Sequence, residues 1–225
     1  MDLIVIDKLI RSARRTISIA IEKDGSLTVR APIRVSLEDV NNLVQRKCTW
    51  IQRKKEQAIL SRGALVKKQF VEGEKFLFLG ENYTLRLSKC NEVYLDDNAK
   101  LLHVPKSTKY AIEQDIVTWY KKIAKDILGR QLEIYSEVIG WRACSMKITS
   151  AMTKWGSCNE KNDINFTWRL VMAPMACINY VVVHEITHIG IKNHSRSFWK
   201  AVENVLPNYR EEEKWLKVNY MLMEL

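Results

Sequence analysis

Three of the four histidines in this chain fall within one short stretch, H-E-I-T-H-I-G-I-K-N-H, which runs from residue 184 to residue 194. His184 and His188 are four residues apart, so on an α-helix they share one face, with Cβ atoms roughly 5–6 Å apart. Two imidazoles placed in this way can bind a single Zn²⁺ ion. Glu185 is rotated by about 100° from His184 around the helix axis. That position keeps its carboxylate off the metal and beside a water molecule, where a general base is needed.

A third ligand requires the chain to turn back after the helix. His194 is the candidate, and Gly190 predicts the turn because glycine readily adopts left-handed backbone. Three imidazoles leave one position of a tetrahedral zinc ion free, as in catalytic sites, whereas structural sites use four protein ligands. We therefore predict one zinc ion per chain, held by His184, His188 and His194. Some zinc proteases use a downstream glutamate instead, and the alternative third ligands are Glu203 and Glu211–Glu213.

The helix that carries this motif is predicted to begin at Pro174 and to continue through Val183 to about Ile189. An apolar stripe is expected to bury the face away from the histidines, formed by Ile178, Val182, Ile186 and Ile189. Tyr180 lies one turn before His184 on the metal-facing side. It is a candidate for hydrogen bonding to the substrate in the transition state, and the alternative is a buried tyrosine with a satisfied hydroxyl.

The first part of the chain reads as small strands around one helix. Alternating apolar residues predict three hairpins, with turns at Asp24-Gly25, Gly80-Glu81-Asn82 and Asp96-Asp97-Asn98. Ser36 and Asp39 resemble a capping box and predict a helix that runs to about residue 60. We predict a basic N-terminal α+β region over residues 1–106.

The hydrophobic period changes after residue 106. Apolar residues at helical spacing predict one long helix that ends near Gly140, namely Ile112, Ile116, Trp119, Ile123 and Ile127. Two strands are then predicted, over Lys147–Met152 and Ile164–Leu170, ahead of the histidine helix. Residues 107–225 are predicted to form the domain that carries the metal site. Since both parts of the chain combine small strands with helices, the predicted fold class is α+β.

Composition excludes several classes of protein. The 225 residues are 47% hydrophobic and 28% charged, with four prolines and eight glycines, so long disordered tracts are not expected. No stretch approaches the roughly 18 apolar residues of a membrane span. The five cysteines form no C-x-x-C pair, which argues against a disulfide framework or a cysteine-based zinc site. Asp2, Asp7 and Lys8 interrupt the apolar N-terminus, so we expect no signal peptide and a cytoplasmic protein.

The net charge of +10 is concentrated in the first third of the chain. Residues 1–70 hold 15 Lys and Arg against 7 Asp and Glu. This excess has two interpretations, a phosphate-binding surface for nucleic acid or an ordinary solvated face, and no recognisable nucleic-acid-binding motif accompanies it. The basic residues in question are Arg11, Arg14, Arg15, Arg30, Arg34, Arg46, Lys47, Arg53, Lys54 and Lys55.

A second informative stretch precedes the histidine helix. Together with that helix it forms a pattern made of Trp155-Gly156-Ser157-Cys158, Arg169-Leu170 with Pro174, the residues from Tyr180 to His188, Asn193-His194-Ser195 and Phe198-Trp199. In this pattern the chain resembles the YgjP-like family of predicted metal-dependent hydrolases, which are relatives of the SprT-like zinc metallopeptidases. The resemblance is dense over residues 147–215 and looser over the N-terminal hairpins.

The resemblance implies a minimal zincin fold, in which a short sheet packs on the active-site helix. It implies His184, His188 and His194 as metal ligands and Glu185 as the base. It also implies that the stretch with Lys154 and Trp155 borders the metal cleft, and Arg169 and Tyr180 join these as candidate substrate contacts. Lys154 stands where the family pattern leads us to expect arginine, which affects only a bidentate anion contact.

We predict a zinc-dependent hydrolase, with peptide bonds as the favoured substrate. In this mechanism Glu185 takes a proton from metal-activated water and passes it to the leaving amine. An edge strand near Ile164–Leu170 is expected to align an extended peptide. Two alternatives stay open: a metal-dependent pyrophosphatase acting on UTP, as proteins of this family have also been labelled, and a nucleic-acid-associated protease or binding module. The chain contains no Gly-rich phosphate loop, and its sequence does not define the oligomeric state.

Overall fold

A computed structural model describes residues 4–22, 24–52, 54–55, 68–223 and 225. It has the mixed α+β architecture that the sequence predicts, with small sheets and several helices. The chain divides into two compact units, residues 1–66 and 67–225. Among the described residues, no helix combines the length and the apolar character needed to cross a membrane.

The first unit contains one three-stranded sheet and a short helix. Its strands are β1 (Lys8–Ser12), β2 (Ser18–Ile21) and β3 (Leu27–Pro32), in the order β1-β3-β2. The predicted hairpin is confirmed, since β2 and β3 pair antiparallel and Gly25 takes a φ of 80° in the turn. Helix α1 (Leu37–Arg46) is capped by Ser36, whose side chain accepts from the Asp39 N–H. Helical residues follow at 48–52 and 54–55, and the rest of the predicted helix lies outside the described residues.

Several basic residues of the first unit form hydrogen bonds or ion pairs within that unit. Arg11 donates to the carbonyls of Pro32 and Val35, at 2.9 and 2.5 Å. Arg14 donates to the Ser18 hydroxyl, and Lys55 forms an ion pair with Asp7. Arg53 lies outside the described residues. Part of the basic excess therefore has a structural use within the unit.

The second unit begins with a four-stranded sheet. Its strands are β4 (Lys75–Phe78), β5 (Glu81–Ser88), β6 (Tyr94–Asp96) and β7 (Leu101–Pro105), in the order β4-β5-β7-β6. The two hairpins predicted here are confirmed, but the first turn is made by Leu79 and Gly80, with φ of 50° and 85°. Strands β5 and β7 pair in parallel, a long-range pairing that local patterning does not predict.

This sheet shares one core with the elements after residue 106, so the chain divides into its two compact units after residue 66 and not at the predicted 106. Helix α2 (Lys109–Ile139) begins after Thr108 and ends at Gly140, where φ is 82°, as predicted. The Tyr120 hydroxyl of α2 donates to the Leu77 carbonyl at 2.6 Å. These contacts, with the shared burial of apolar side chains, place β4–β7 in the same unit as the histidine motif.

A second three-stranded sheet leads into the histidine helix. It contains β8 (Ser145–Thr149), β9 (Gly156–Cys158) and β10 (Asp163–Thr167), in the order β8-β10-β9. Because β10 pairs with both neighbours, the expectation of an edge strand over Ile164–Leu170 is wrong. The edge next to the histidine helix is β9, and residues Trp168–Met172 form a 3-10 helix.

Three helices complete the unit: α3 (Met175–Gly190), α4 (Arg196–Val205) and α5 (Tyr209–Asn219), followed by a 3-10 turn over Tyr220–Met223. Pro174 is the N-cap of α3, one residue outside the helix that it was expected to open. The turn between β4 and β5 meets the start of α3 closely, because a Cβ on Gly80 would lie 2.8 Å from the Pro174 ring. Helix α3 is thus fixed at its beginning by the first sheet of the unit.

Candidate metal centre

Helix α3 presents its histidines on the face opposite its buried apolar stripe. Of the predicted stripe, Ile178, Val182 and Ile186 are fully buried, and Ile189 is partly buried against the same core. The ring centroids of His184 and His188 are 4.9 Å apart, as expected for side chains one turn apart on a helix.

The three histidines of the motif converge. Nε2 of His194 lies 3.0 Å from Nε2 of His184 and 3.2 Å from Nε2 of His188. Two nitrogen ligands of a tetrahedral ion with bonds of about 2.0–2.1 Å lie roughly 3.3 Å apart, so this donor set fits one divalent metal ion. Among the described residues, this is the group of histidine, cysteine and carboxylate side chains whose donor atoms lie close enough to hold a metal.

His184 and His188 are held in the form that binds metals. Nδ1 of His188 donates to the Ile191 carbonyl at 3.1 Å, which leaves Nε2 as the free lone pair. Burial, assisted by the two neighbouring imidazoles, lowers the pKa of His184 to about 3. The pKa of His188 is also lowered, chiefly by burial. Neutral imidazole is the ligand form, so both shifts favour metal binding at neutral pH.

His194 reaches the site because α3 ends at Gly190, four residues before it. The helix stops at Gly190, Ile191 is extended with φ of −132°, and α4 begins after Ser195. The prediction that Gly190 adopts left-handed backbone is wrong, since it is the last residue of α3 and its φ is not positive. Glycine is needed here for space: a Cβ would lie 2.8 Å from Cε2 of Trp141 and closer still to Cζ2 and Cη2.

Replacing Gly190 with alanine tests this packing. At a helix position with free space around it, replacing glycine with alanine increases the free energy of unfolding by up to about 1 kcal/mol. Overlap with the rigid indole costs about 1–3 kcal/mol, so we expect a net loss in the free energy of unfolding. In a Trp141→Ala background the same change should become neutral or stabilising, measured by urea unfolding of all four proteins. Equal effects in both backgrounds would contradict the steric explanation.

An aromatic side chain from α4 packs against all three imidazoles. The Phe198 ring is fully buried, and its centroid lies 4.9 Å from His184, 4.5 Å from His188 and 4.8 Å from His194. Trp199 stacks on the outer side of His194, with centroids 5.5 Å apart. Contacts with Phe198 and Trp199 therefore restrict the side-chain rotamers of the imidazoles. The sequence places Phe198 in the family pattern but does not predict its contact with the imidazoles, for which its spacing of four residues from His194 is the available signal.

Glu185 lies in a close-fitting buried position beside this cluster. It is 5% exposed, and its Oε2 atom has no hydrogen-bond partner. A Cβ on Gly156 would lie 2.6 Å from Glu185 Oε1, so only glycine allows the carboxylate to sit against strand β9. Burial raises the pKa of Glu185 to about 7, against opposing contributions from Lys154 and from the Cys158 N–H. The stretch that the family resemblance places beside the metal cleft therefore approaches Glu185 closely at Gly156.

The raised pKa of Glu185 has a consequence for stability. Its usual value is 4.5 and its value in the folded protein is about 7, so the folded state binds the proton more tightly than the unfolded chain. The contribution of this group therefore makes the metal-free protein less stable as pH rises from 4.5 to about 7. We expect Glu185→Gln to increase the free energy of unfolding by about 1–3 kcal/mol at pH 8 and by little at pH 4.5. Thermal unfolding at both pH values measures the difference, and an equal effect at both would contradict it.

A pocket of about 280 Å³ opens beside the three histidines, and its wall includes His184 and Glu185. Tyr180, Lys154 and Trp155 also line this pocket, so three of the predicted substrate contacts lie together. Burial raises the pKa of Tyr180, which keeps its hydroxyl protonated.

Comparison with known proteins agrees with this geometry. A family model described as YgjP-like, metallopeptidase domain, matches residues 15–219. The chain belongs to the YgjP-like metallopeptidase family. It is therefore a metallohydrolase, and its family implies a divalent metal and a peptide or protein substrate. The match spans both compact units.

A solved structure similar to this YgjP-like chain is the metallopeptidase zymogen of Pyrococcus abyssi abylysin. The identity is 21%, the alignment covers 43% of this chain and 96% of that one, and the TM-score is 0.38. No curated protein matches the chain.

Arg169 and the alternative third ligands are the remaining sequence candidates in this YgjP-like protein. The Arg169 guanidinium lies over the Trp168 ring, 4.2 Å from its centroid, and donates to the Ser150 carbonyl. Arg169 is not part of the described wall of the site pocket. The alternative third ligands, Glu203 and Glu211–Glu213, do not join the described metal-binding group, and Glu203 lies 3.9 Å from Lys200 in an ion pair.

Proposed function

We propose that this YgjP-like protein is a zinc metallopeptidase that binds one zinc ion through His184, His188 and His194. The observation that carries the proposal is the convergence of three Nε2 atoms beside a buried carboxylate that lines the same pocket. Three neutral nitrogen donors suit zinc and leave one position for catalysis. A bound zinc ion would supply a Lewis acid that polarises the scissile carbonyl and lowers the pKa of water.

We assign Glu185 as the general base and subsequent acid. A catalytic pKa close to the working pH is efficient in both roles, and burial raises the pKa of Glu185 to about 7. The carboxylate takes a proton from the attacking water and then donates it to the leaving amine. The partnerless Oε2 atom is available for that transfer.

The edge of β9 is the element that we propose to align the peptide. Thr167 N donates to Trp155 O and Asn159 N donates to Asp163 O, so residues 155, 157 and 159 face β10. In an antiparallel pair the intervening residues point away, so the N–H and C=O of Gly156 and the C=O of Cys158 lie at the free edge, while the Cys158 N–H is directed to Glu185. An extended peptide can add to this edge through main-chain hydrogen bonds, which tolerates varied side chains.

Peptide and nucleotide turnover by the zinc-loaded protein tests the proposal. We expect cleavage products from a mixed peptide library by mass spectrometry, no pyrophosphate from UTP, and neither product with Glu185→Gln. Pyrophosphate release from UTP that Glu185→Gln abolishes, without peptide cleavage, would overturn the peptidase proposal in favour of nucleotide hydrolysis at the same site.

A further inference from the structure

The third histidine lies on an irregular segment between two helices. This connection spans residues 191–195, between the end of α3 and the start of α4, and it carries His194. His188 Nδ1 donates to the Ile191 carbonyl at 3.1 Å, which ties the beginning of the connection to α3. Aromatic rings of α4 pack against His194. These contacts join the connection to its own two helices, and its place relative to the sheet depends on a further contact.

Lys192 makes that further contact. Its Nζ atom donates to Asn162 Oδ1 at 2.7 Å and to the Asn159 carbonyl at 3.1 Å. Both acceptors lie in the turn between β9 and β10, 30 and 33 residues earlier in the chain. Lys192 therefore joins the segment that carries the third histidine directly to the sheet that contains the edge strand β9.

The turn that accepts these bonds has a dense hydrogen-bond network of its own. Asn159 Oδ1 accepts from the N–H groups of Lys161 and Asp163, both at 2.9 Å. The Asp163 carboxylate accepts from Asn159 Nδ2 at 3.0 Å and from the Ser145 hydroxyl of β8 at 2.7 Å. Asn162 has a φ of 62°, a left-handed conformation that asparagine adopts more readily than most residues. The turn thus offers Lys192 two acceptors in fixed positions.

We propose that Lys192 is a positioning residue for the metal, which holds His194 beside His184 and His188 by anchoring the connection on the β9–β10 turn. The proposal rests on the zinc site proposed above. Two hydrogen bonds from one ammonium group to a braced turn oppose displacement of the connection. Residues that orient metal ligands from outside the coordination shell commonly contribute roughly 10–100-fold to metal affinity. An exposed anchor such as Lys192 is expected at or below the lower end of that range.

The positive charge of Lys192 gives the anchoring effect a distinctive sign. Lys192 lies close enough to His188 for its charge to lower the pKa of that imidazole. A neighbouring cation repels a metal ion, so removal of the charge alone should strengthen zinc binding. Removal of the anchor should weaken zinc binding. A weaker affinity after loss of Lys192 therefore cannot be explained by its charge.

Competition with a chelator measures the zinc affinity of Lys192→Met. We expect zinc to bind about threefold to tenfold more weakly than in the wild type, the contribution of solvent-exposed hydrogen bonds from a charged group. Lys161→Met is the matched control, because Lys161 is an exposed lysine of the same turn that contributes its backbone N–H, and its loss should not weaken zinc binding. Asn162→Gly removes one acceptor and permits the positive φ, so it should weaken zinc binding in the wild type and add nothing to Lys192→Met.

The His194→Ala background separates positioning of the ligand from a general effect on folding. Lys192→Met should cause no further loss of zinc affinity in that background, because the ligand that it positions is absent. The visible absorption spectrum of the Co²⁺-loaded protein reports the ligands of the metal, and Lys192→Met should shift it towards the spectrum of His194→Ala. The urea unfolding midpoint of each metal-free protein establishes that the variant is folded.

Zinc binding by Lys192→Met that is as tight as in the wild type would overturn the positioning role and leave the zinc site intact. The same conclusion would follow from an equal loss in the His194→Ala background or from an unchanged Co²⁺ spectrum. A wild-type protein that binds no zinc would overturn both the zinc site and the role of Lys192.

Discussion

Replacing Glu185 with glutamine is expected to leave zinc bound and to reduce kcat by roughly 10²–10⁴-fold, the usual contribution of a general base. Glutamine has nearly the same shape and fills the same buried position, but its amide accepts no proton. Zinc content by mass spectrometry and peptide turnover, measured on the same sample, separate the two effects. If Glu185→Gln loses the metal, Glu185 is a ligand and the assignment of roles is wrong.

Gly156→Ala is expected to displace the carboxylate of Glu185 without replacing that residue. The added methyl would lie 2.6 Å from Glu185 Oε1 and 2.7 Å from its Cγ, so the side chain has to move. We expect retained zinc and a loss of at least about tenfold in kcat, because small displacements of a catalytic group are costly. Gly129→Ala is the matched control, since its methyl would meet only Met146 Cε, at an ordinary 3.6 Å. Unchanged turnover with Gly156→Ala would contradict this packing.

Removal of any one of the three histidines is expected to weaken zinc binding by more than about 100-fold, since even supporting residues around a metal contribute 10–100-fold. The wild-type protein should hold one zinc ion per chain and release it as the pH falls, because imidazole must lose its proton to bind. The His184→Ala, His188→Ala double variant should hold none. Zinc content after dialysis, followed by competition with a chelator, measures each step.

The matched controls are the glutamates that the sequence offered as alternatives. Glu203→Ala and Glu212→Ala should bind zinc as the wild type does, because neither carboxylate joins the described group of converging donors. Normal zinc binding by His194→Ala, combined with loss in either glutamate variant, would make the third ligand a glutamate and contradict the assignment.

The pairing of His184 with His188 follows from sequence alone, because helical periodicity is local and a separation of four residues decides which side chains share a face. The same reasoning places Glu185 beside the site and buries Ile178, Val182 and Ile186 against the core. The hairpins around Gly25 and Gly80 also depend on short-range turn chemistry, and both form. Patterns of this range are sufficient to indicate the family and its metal-binding character.

Tertiary structure decided what depends on residues distant in sequence. His194, and none of the candidate glutamates, converges with His184 and His188 because the chain turns after α3. Gly190 packs closely against Trp141 at that turn. Strand β9 is only three residues long, too short for an alternating pattern, so its place at the edge became apparent only through its pairing with β10. The unit boundary at residue 66 reflects parallel pairing of β5 with β7 and a core shared with α2, which are long-range contacts. Local periodicity specifies which face of an element is buried, but the partner that covers that face is selected only when the whole chain packs.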